Sequence, residues 1–336
     1  MALGIMKKNN IIDLIGNTPL IKLNYPSKIT GCEIYGKAEF LNPGGSIKDR
    51  AALSIIKNAE DNKKIKKDGY IIEGTAGNTG IGLTLIANAK GYNSIIVMPE
   101  TQTKEKIDLL KSMGADLRLV PAKPYKDPGN YVKFSKVIAE EMIKKTNGNA
   151  IWANQFDNTA NLLGHYNSTG KEILEQTDGK IDAFICSSGT GGTIAGVGKA
   201  LKEVNKNIKI YLADPKGSAL YNYIKTKELI SEGNSITEGI GSSRITANFA
   251  EAPIDDAYSI DDKEAFPIIY KLIKNEGLNL GTSSGINIAG AIKMGKEIGP
   301  GKTIVTILCD LSDRYKSKMF NKKLLDEKNI PYPNWL

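Results

Sequence analysis

Four stretches of this chain carry residue types that could do chemistry together. The first is Asn42-Pro43-Gly44-Gly45-Ser46-Ile47-Lys48-Asp49-Arg50, followed by an apolar-periodic run over 51–59. Proline and glycine break the backbone, so the pattern predicts a loop that becomes the first turn of a helix at Lys48. Helix starts present unpaired N–H groups and a positive field, which works against a proton on a nearby amine. A free lysine amine there can form a Schiff base with an aldehyde or ketone. A solvated lysine paired with Asp49 is the plain alternative.

The second stretch, Thr75-Ala76-Gly77-Asn78-Thr79-Gly80, also opens a predicted helix. Its N–H groups and hydroxyls suit a carboxylate, and the Asn78 amide suits a phenolate-type oxygen. A ligand-free helix cap is the alternative. The third, Gly189-Thr190-Gly191-Gly192-Thr193, lets backbone N–H groups converge ahead of a helix, the pattern of a phosphate cradle. A tight turn is its plain reading. It is not a Walker A loop, because no Gly-Lys-Ser/Thr closes it, and Ile194 stands where a dinucleotide fingerprint has its third glycine. Asp214, after the next strand, keeps a nicotinamide-dependent oxidoreductase as a distant alternative. In the fourth, Thr282-Ser283-Ser284-Gly285, the Ser283 hydroxyl can meet a ring nitrogen without fixing its charge, or simply cap a helix.

These loops need elements to aim them. Short apolar runs at 33–40, 70–73, 94–98, 116–120, 151–154, 182–186, 208–213, 257–260 and 303–308 read as strands. They alternate with helical patterns at 81–90, 104–113, 132–145, 162–176, 194–204, 262–277 and 286–298. Such alternation predicts an α/β fold of mostly parallel twisted sheets with helices on both faces and ligand loops at the strand C-terminal ends. Residues 121–130 read as a surface loop, 216–252 as irregular, and 316–336 as a basic surface tail.

The 336 residues are enough for two lobes, each with its own core. The expected organisation is a smaller mobile domain at 42–158, a larger one built from 11–41 plus 159–320, and a tail at 321–336. The chain is 41% hydrophobic and 24% charged, an ordinary globular profile. No apolar run approaches the ~20 residues that cross a bilayer, and residues 1–10 lack the apolar core of a secretory signal. The expectation is a cytoplasmic protein without membrane contact. The net charge of +8 is spread over lysines without interleaved aromatics, which argues for solvated faces and anionic small molecules rather than nucleic acid. Cys32, Cys186 and Cys309 are too widely spaced for a metal pair, and the single His165 excludes a histidine metal cluster. Cys186 and Cys309 read as buried apolar residues and His165 as structural.

Taken together, GNTPL (16–20), SIKDR (46–50), GNTGIGL (77–83), MPET (98–101), GTGGT (189–193), GIG (239–241) and SSG (283–285) resemble the fold type II pyridoxal-phosphate enzymes, specifically the cysteine synthase and cystathionine β-synthase group. The similarity spans about 11–315. It implies a two-lobed fold like that of the tryptophan synthase β subunit, a homodimer, and pyridoxal 5'-phosphate as cofactor. It also implies Lys48 as the Schiff-base lysine and α-carbon base, and Asn78, Ser283 and Gly189, Thr190, Gly191, Gly192 and Thr193 as cofactor contacts. Thr75, Ala76, Gly77, Asn78, Thr79, Gln155 and Gly241 would form the substrate site. The implied reaction is β-replacement on a small amino acid through an aminoacrylate, with a sulfur nucleophile or water. O-acetylserine and sulfide giving cysteine is the first expectation. Sulfide release from cysteine and a cystathionine β-synthase-like condensation are the alternatives, and a non-catalytic binding module is the contrasting class. Four features depart from typical cysteine synthases: Ala76 where serine is usual, the Gly44-Gly45 pair, a longer loop at Pro121 to Asn130, and Asp310 where a small residue is common.

Overall fold

In the computed structural model, which describes residues 7–336, ten strands form two sheets. The expectation for the extreme N-terminus falls partly on residues 1–6, outside those described. The strands are β1 (Leu20–Lys22), β2 (Glu33–Ala38), β3 (Tyr70–Gly74), β4 (Asn93–Pro99), β5 (Asp116–Val120), β6 (Ala150–Trp152), β7 (Ala183–Cys186), β8 (Lys209–Pro215), β9 (Asp256–Ile260) and β10 (Thr303–Leu308). A six-stranded sheet runs β1-β2-β10-β7-β8-β9, and a four-stranded sheet runs β5-β4-β3-β6. Only β1 is antiparallel to its neighbour.

Parallel strands are covered on both faces, so successive side chains feed two different cores. Ala183 and Ile185 of β7 enter one cluster, while Phe184 and Cys186 enter the other. In β10, Ile304 and Leu308 take the first side and Val305 and Ile307 the second. In the small sheet Ile71 and Ile72 of β3 split the same way. This is why these strands read as unbroken apolar runs. The first core of the large sheet is closed by the helix Thr282–Ile298, which buries Ile286, Ile288, Ala291 and Met294; the second is closed by Gly192–Val204, through Ile194, Val197 and Leu201.

Three segments differ from the sequence expectation. The helix foreseen over 162–176 is broken by a π-helical turn, Tyr166–Gly170, between Ala160–His165 and Lys171–Gln176. Close packing accompanies it: a side chain on Gly170 would meet Ala200 Cβ at 2.6 Å, and one on Gly196 would meet the Leu162 carbonyl oxygen at 2.3 Å. Within 216–252 lies a helix, Leu220–Thr226, whose Tyr221 N–H donates to the buried Asp214 carboxylate at 2.8 Å. The basic tail is not merely solvated: Met319, Leu325 and Ile330 bury against Phe266 and Tyr270 of the helix Asp262–Glu276.

A buried ion cluster locks the helix Lys48–Asp61 to the large sheet. Arg50 is 3% exposed and donates to Glu39 (Nε–Oε2 2.7 Å) and Glu172 (Nη1–Oε1 2.6 Å), while Lys37 pairs with Glu172 at 2.6 Å. Thr18 joins through its hydroxyl to Glu39, which places GNTPL in the same cluster. Two cations and two anions offset one another where each alone would carry a large desolvation cost. Burial pushes the Glu172 carboxyl up, but the bonds from Arg50 and Lys37 win and hold it at about 2. Among the described residues no helix is long and apolar enough to cross a membrane.

A carboxylate held below its free value stabilises the fold above the unfolded pKa and loses that contribution on acidification. Glu172→Gln is therefore expected to lower the urea midpoint at pH 7, by an amount equivalent to about 3 kcal/mol. The gap between variant and parent should shrink as pH falls from about 4.5 toward 2. A constant gap across that window would contradict the ion-cluster account.

Candidate active site

A cavity of about 530 Å³ opens beside the C-terminal ends of both sheets, lined by Lys48, Thr75, Ala76, Gly77, Asn78, Thr79, Gln155, Gly189, Thr190, Gly241 and Ser283. An adjoining recess is lined by Lys48 with Ser187, Ser188, Gly191 and Thr193. The expected residues therefore converge, with one exception. Gly192 lines neither space and faces Asn161, whose Oδ1 lies 2.1 Å from where a Cβ would stand.

Lys48 begins its helix, and Arg50, two residues on, points to the opposite side of that helix. The anchored Arg50 thus leaves Lys48 on the cavity side. Asp49 between them does not pair with Lys48. It turns back, and its carboxylate accepts from the Gly44 N–H at 2.5 Å. Burial raises the Asp49 carboxyl to about 7. Gly45 has φ +74°, a left-handed conformation that favours glycine, and a Cβ there would stand 2.5 Å from Arg314 Nη2, so the guanidinium would have to shift.

The second loop leaves β3 at Gly74. Gly77 has φ +130°, and the helix Asn78–Lys90 starts without a side-chain cap, leaving its first N–H groups for another acceptor. Thr79 Oγ1 donates to Gln155 Oε1 at 2.5 Å, and Gln155 Nε2 donates to Glu73 Oε1 at 3.1 Å. Glu73 is wholly buried with no cation beside it. Burial lifts its carboxyl to about 8, against the opposing bonds from Gln155.

The third loop precedes Gly192–Val204, which likewise has no side-chain cap. A Cβ on Gly189 would meet the Gly239 carbonyl oxygen at 2.3 Å, and one on Gly191 (φ +87°) would meet Phe249 N at 2.4 Å. The Ser188 hydroxyl is buried without a partner. Threonine side chains are fixed from behind: Asn161 Nδ2 donates to Thr190 Oγ1 at 2.9 Å, and His165 Nε2 lies 3.3 Å from Thr193 Oγ1. His165 is buried and held neutral, its pKa pushed down to about 3 by burial and then by Arg50 and Lys48. An uncapped helix start, an orphaned hydroxyl and side-chain-free backbone form a space that suits a phosphate.

Ser283 lies in the first turn of Thr282–Ile298, also uncapped. Asn287, one turn on, ties this helix to two strand ends, accepting from Ser187 N (2.7 Å) and donating to Ile307 O (2.8 Å). Cys309 lines the cavity beside Ser283 and is half-buried rather than fully buried as foreseen; burial lifts its thiol to about 11. Cys186 is buried as foreseen. Asp214 is spent on capping Leu220–Thr226 and does not line the cavity.

Several lining residues carried no sequence signal. Lys106 is 1% exposed, pairs with Glu238 at 2.6 Å and lies 4.3 Å from the centre of the Tyr315 ring. Gln102, Thr237 and Lys318 extend this polar annex, and Tyr131 and Phe156 add the aromatic surface. Asn78 Nδ2 donates to Asp310 Oδ2 at 2.6 Å, and Arg314 Nη1 donates to Asn78 Oδ1 at 2.8 Å.

The sequence profile of the family described as "Pyridoxal-phosphate dependent enzyme" matches residues 11–310. Cysteine synthase 1 of Neurospora crassa is 47% identical over 334 residues, 98% of this chain and 87% of that protein. Among solved structures, an O-acetylserine dependent cystathionine beta-synthase from Helicobacter pylori superposes with a TM-score of 0.84 at 34% identity, over 94% of this chain and 99% of that one. A hydrogen sulfide-producing enzyme from Fusobacterium nucleatum gives 0.82 at 36% identity, over 93% and 99%.

A carboxyl whose folded pKa is raised favours the fold at low pH and loses that advantage as pH rises to the folded value. Relative to Glu73→Gln, the parent protein should lose chemical-denaturation stability between pH about 4.5 and about 8, then level off. A difference independent of pH would mean that Glu73 is ionised throughout.

Proposed function

The chain belongs to the pyridoxal-phosphate dependent enzyme family, and we propose that it catalyses β-replacement on a small amino acid, O-acetylserine and sulfide giving cysteine. One observation carries the reading: a single cavity brings Lys48, Asn78, Ser283, the Thr75–Thr79 loop and Gln155 together beside a small recess lined by Ser188, Gly189, Thr190, Gly191 and Thr193. When bound, pyridoxal phosphate supplies the electron sink that makes the α-hydrogen of an amino acid removable.

The chain's own groups have the remaining tasks. Lys48 would hold the cofactor through its amine. Once displaced by the substrate's own amino group, that amine would be free to take the α-proton as the β-substituent departs, and to return it after the nucleophile has added at the β-carbon. Gly189, Thr190, Gly191, Gly192 and Thr193 hold the phosphate, Gly192 through its backbone. Asn78 meets the ring oxygen. Ser283 meets the pyridine nitrogen as a neutral hydroxyl, which limits charge withdrawal into the ring and favours loss of a β-substituent over amino transfer. The N–H groups of the loop Thr75, Ala76, Gly77, Asn78 and Thr79 bind the substrate carboxylate at a helix start, and the Thr79 hydroxyl and Gln155 amide, bonded to each other, brace that loop. Ala76 contributes backbone only. Gly241 leaves room at the rim.

A second reading has support from one feature. The cavity continues past the carboxylate loop to Gln102, Lys106, Thr237, Glu238 and Lys318. That annex is larger than sulfide needs and favours a bulkier thiol as nucleophile, as in a cystathionine-type condensation. The same proposal takes the protein as a cytoplasmic homodimer. Leu14 and Leu163 are nearly half exposed, and Leu163 lines a surface groove of mixed character with Leu53, Ser54, Lys57 and Asn58, a face that a second copy would cover.

The test is spectroscopic. The purified protein should show a visible cofactor band that changes on adding O-acetylserine, with cysteine formed once sulfide is supplied. Lys48→Ala should lose the band and at least about 10³-fold in turnover. A parent protein without the band would refute the cofactor assignment, and turnover retained in Lys48→Ala would refute Lys48 as the base. Sulfide release from cysteine with no activity on O-acetylserine would reverse the assigned direction.

A further inference from the structure

Asp310 and Arg314 have no part in the roles above, yet both are buried and both bond Asn78. Arg314 Nη1 donates to Asn78 Oδ1 at 2.8 Å, and Asn78 Nδ2 donates to Asp310 Oδ2 at 2.6 Å. Tyr315 Oη donates to the same Asp310 oxygen at 2.5 Å. The two ends of an amide are nearly equal in size, so its orientation follows from what each end meets. Here a cationic donor faces the oxygen and a carboxylate faces the nitrogen. Turning the amide over would set NH₂ against guanidinium and a carbonyl against carboxylate, two mismatches in a buried site. One N–H of Asn78 goes to Asp310, which leaves the other for the cavity that Asn78 lines.

Two glycine positions show how this chain is accommodated. Arg314 Nη2 donates to the Gly44 carbonyl, and the missing side chain of Gly45 gives the guanidinium its place. At the other end a Cβ on Gly281, just before the helix that bears Ser283, would stand 2.1 Å from Asp310 Oδ1. That oxygen is buried and unpartnered. Gly44, Gly45, Arg314, Asn78, Asp310 and Gly281 thus run continuously from the Lys48 loop to the Ser283 helix.

We infer that Arg314 and Asp310 are positioning residues: they lock the Asn78 amide with an N–H toward the cavity, and Arg314 ties that amide to the Lys48 loop. The donor to the cofactor's ring oxygen and the amine that attaches the cofactor are then set as one unit. This inference rests on the cofactor reading of Asn78.

The experiment uses Arg314→Met, Arg314→Lys and the isosteric Asp310→Asn. The holoenzymes are compared by visible absorption spectrum, and the apoproteins by pyridoxal phosphate affinity and melting temperature. Losing a charge-assisted partner should weaken cofactor binding about tenfold or more. It should also shift the absorption maximum, with Arg314→Lys recovering part of both. Asp310→Asn is the decisive variant where Arg314→Met does not fold. Variants with the parent's spectrum and affinity would overturn the inference while leaving the cofactor reading intact. A changed melting temperature with unchanged spectrum and affinity would also overturn it, because the two residues would then be structural only. A parent protein without a cofactor band would overturn both.

Discussion

The constraint on which the site depends is the burial of Arg50. A guanidinium enclosed in protein must have its donors met by anions, because it cannot shed its charge. Glu39 and Glu172 meet them, and Lys37 balances the second carboxylate. Glu39 and Lys37 lie at the end of β2 and just beyond it, while Glu172 lies on a helix past the π-helical turn. The first turn of Lys48–Asp61 is thereby nailed to the large sheet, although the rest of that helix packs with the helices of the small sheet through Ala52, Ile55 and Ile56. Helical periodicity converts this anchor into a direction for Lys48.

The same logic of incomplete local satisfaction recurs around the cavity. Three helices that start at the cavity, at Asn78, Gly192 and Thr282, have no side-chain cap. The helix at Asp262, whose start does not line the cavity, is by contrast capped by Asp261. Leaving first-turn N–H groups unmet costs stability in an empty site but presents converging donors to an anion. The glycines reinforce this, since Gly189 and Gly191 have neighbouring backbone where a side chain would stand. Such a site exchanges local stability for affinity, and large cores on both faces of each sheet make that exchange tolerable.

How much of this was legible in the sequence follows from which interactions are local. Strands buried on both faces announce themselves as apolar runs, and loop glycines before a helical pattern mark ligand loops, so the α/β alternation and the Lys48, Asn78, Gly189 and Ser283 stretches could be read directly. The π-helical turn could not, because the packing that accompanies it, the close approach of Gly170 to Ala200, involves a residue thirty positions on. Nor could Lys106, Glu238 and Arg314, which look like surface charges until tertiary packing encloses them. Asp310 and Gly44-Gly45 were visible as departures from a family pattern, but separately. Only the fold shows that they are joined through the Arg314 guanidinium and the Asn78 amide.

The charge of +8 can be weighed in the same way. Many of the lysines pair with carboxylates at the surface, as Lys22 does with Glu33 and Lys202 with Asp255, and such screened pairs contribute little to stability or recognition. The cavity differs. Lys48, Lys106 and Lys318 line it with Glu238 as the carboxylate among them, and Asp310 and Arg314 behind it offset each other. A partly enclosed space with more cations than anions concentrates anionic ligands. A phosphate, an amino-acid carboxylate and an anionic sulfur nucleophile are all favoured by one field, yet they must not exchange places. Uncapped backbone donors at two separate helix starts, at Asn78 and Gly192, suit two of these anions with different geometries, and the lysine side chains supply the common attraction. Selectivity among the anions therefore lies in the glycine loops rather than in the lysines.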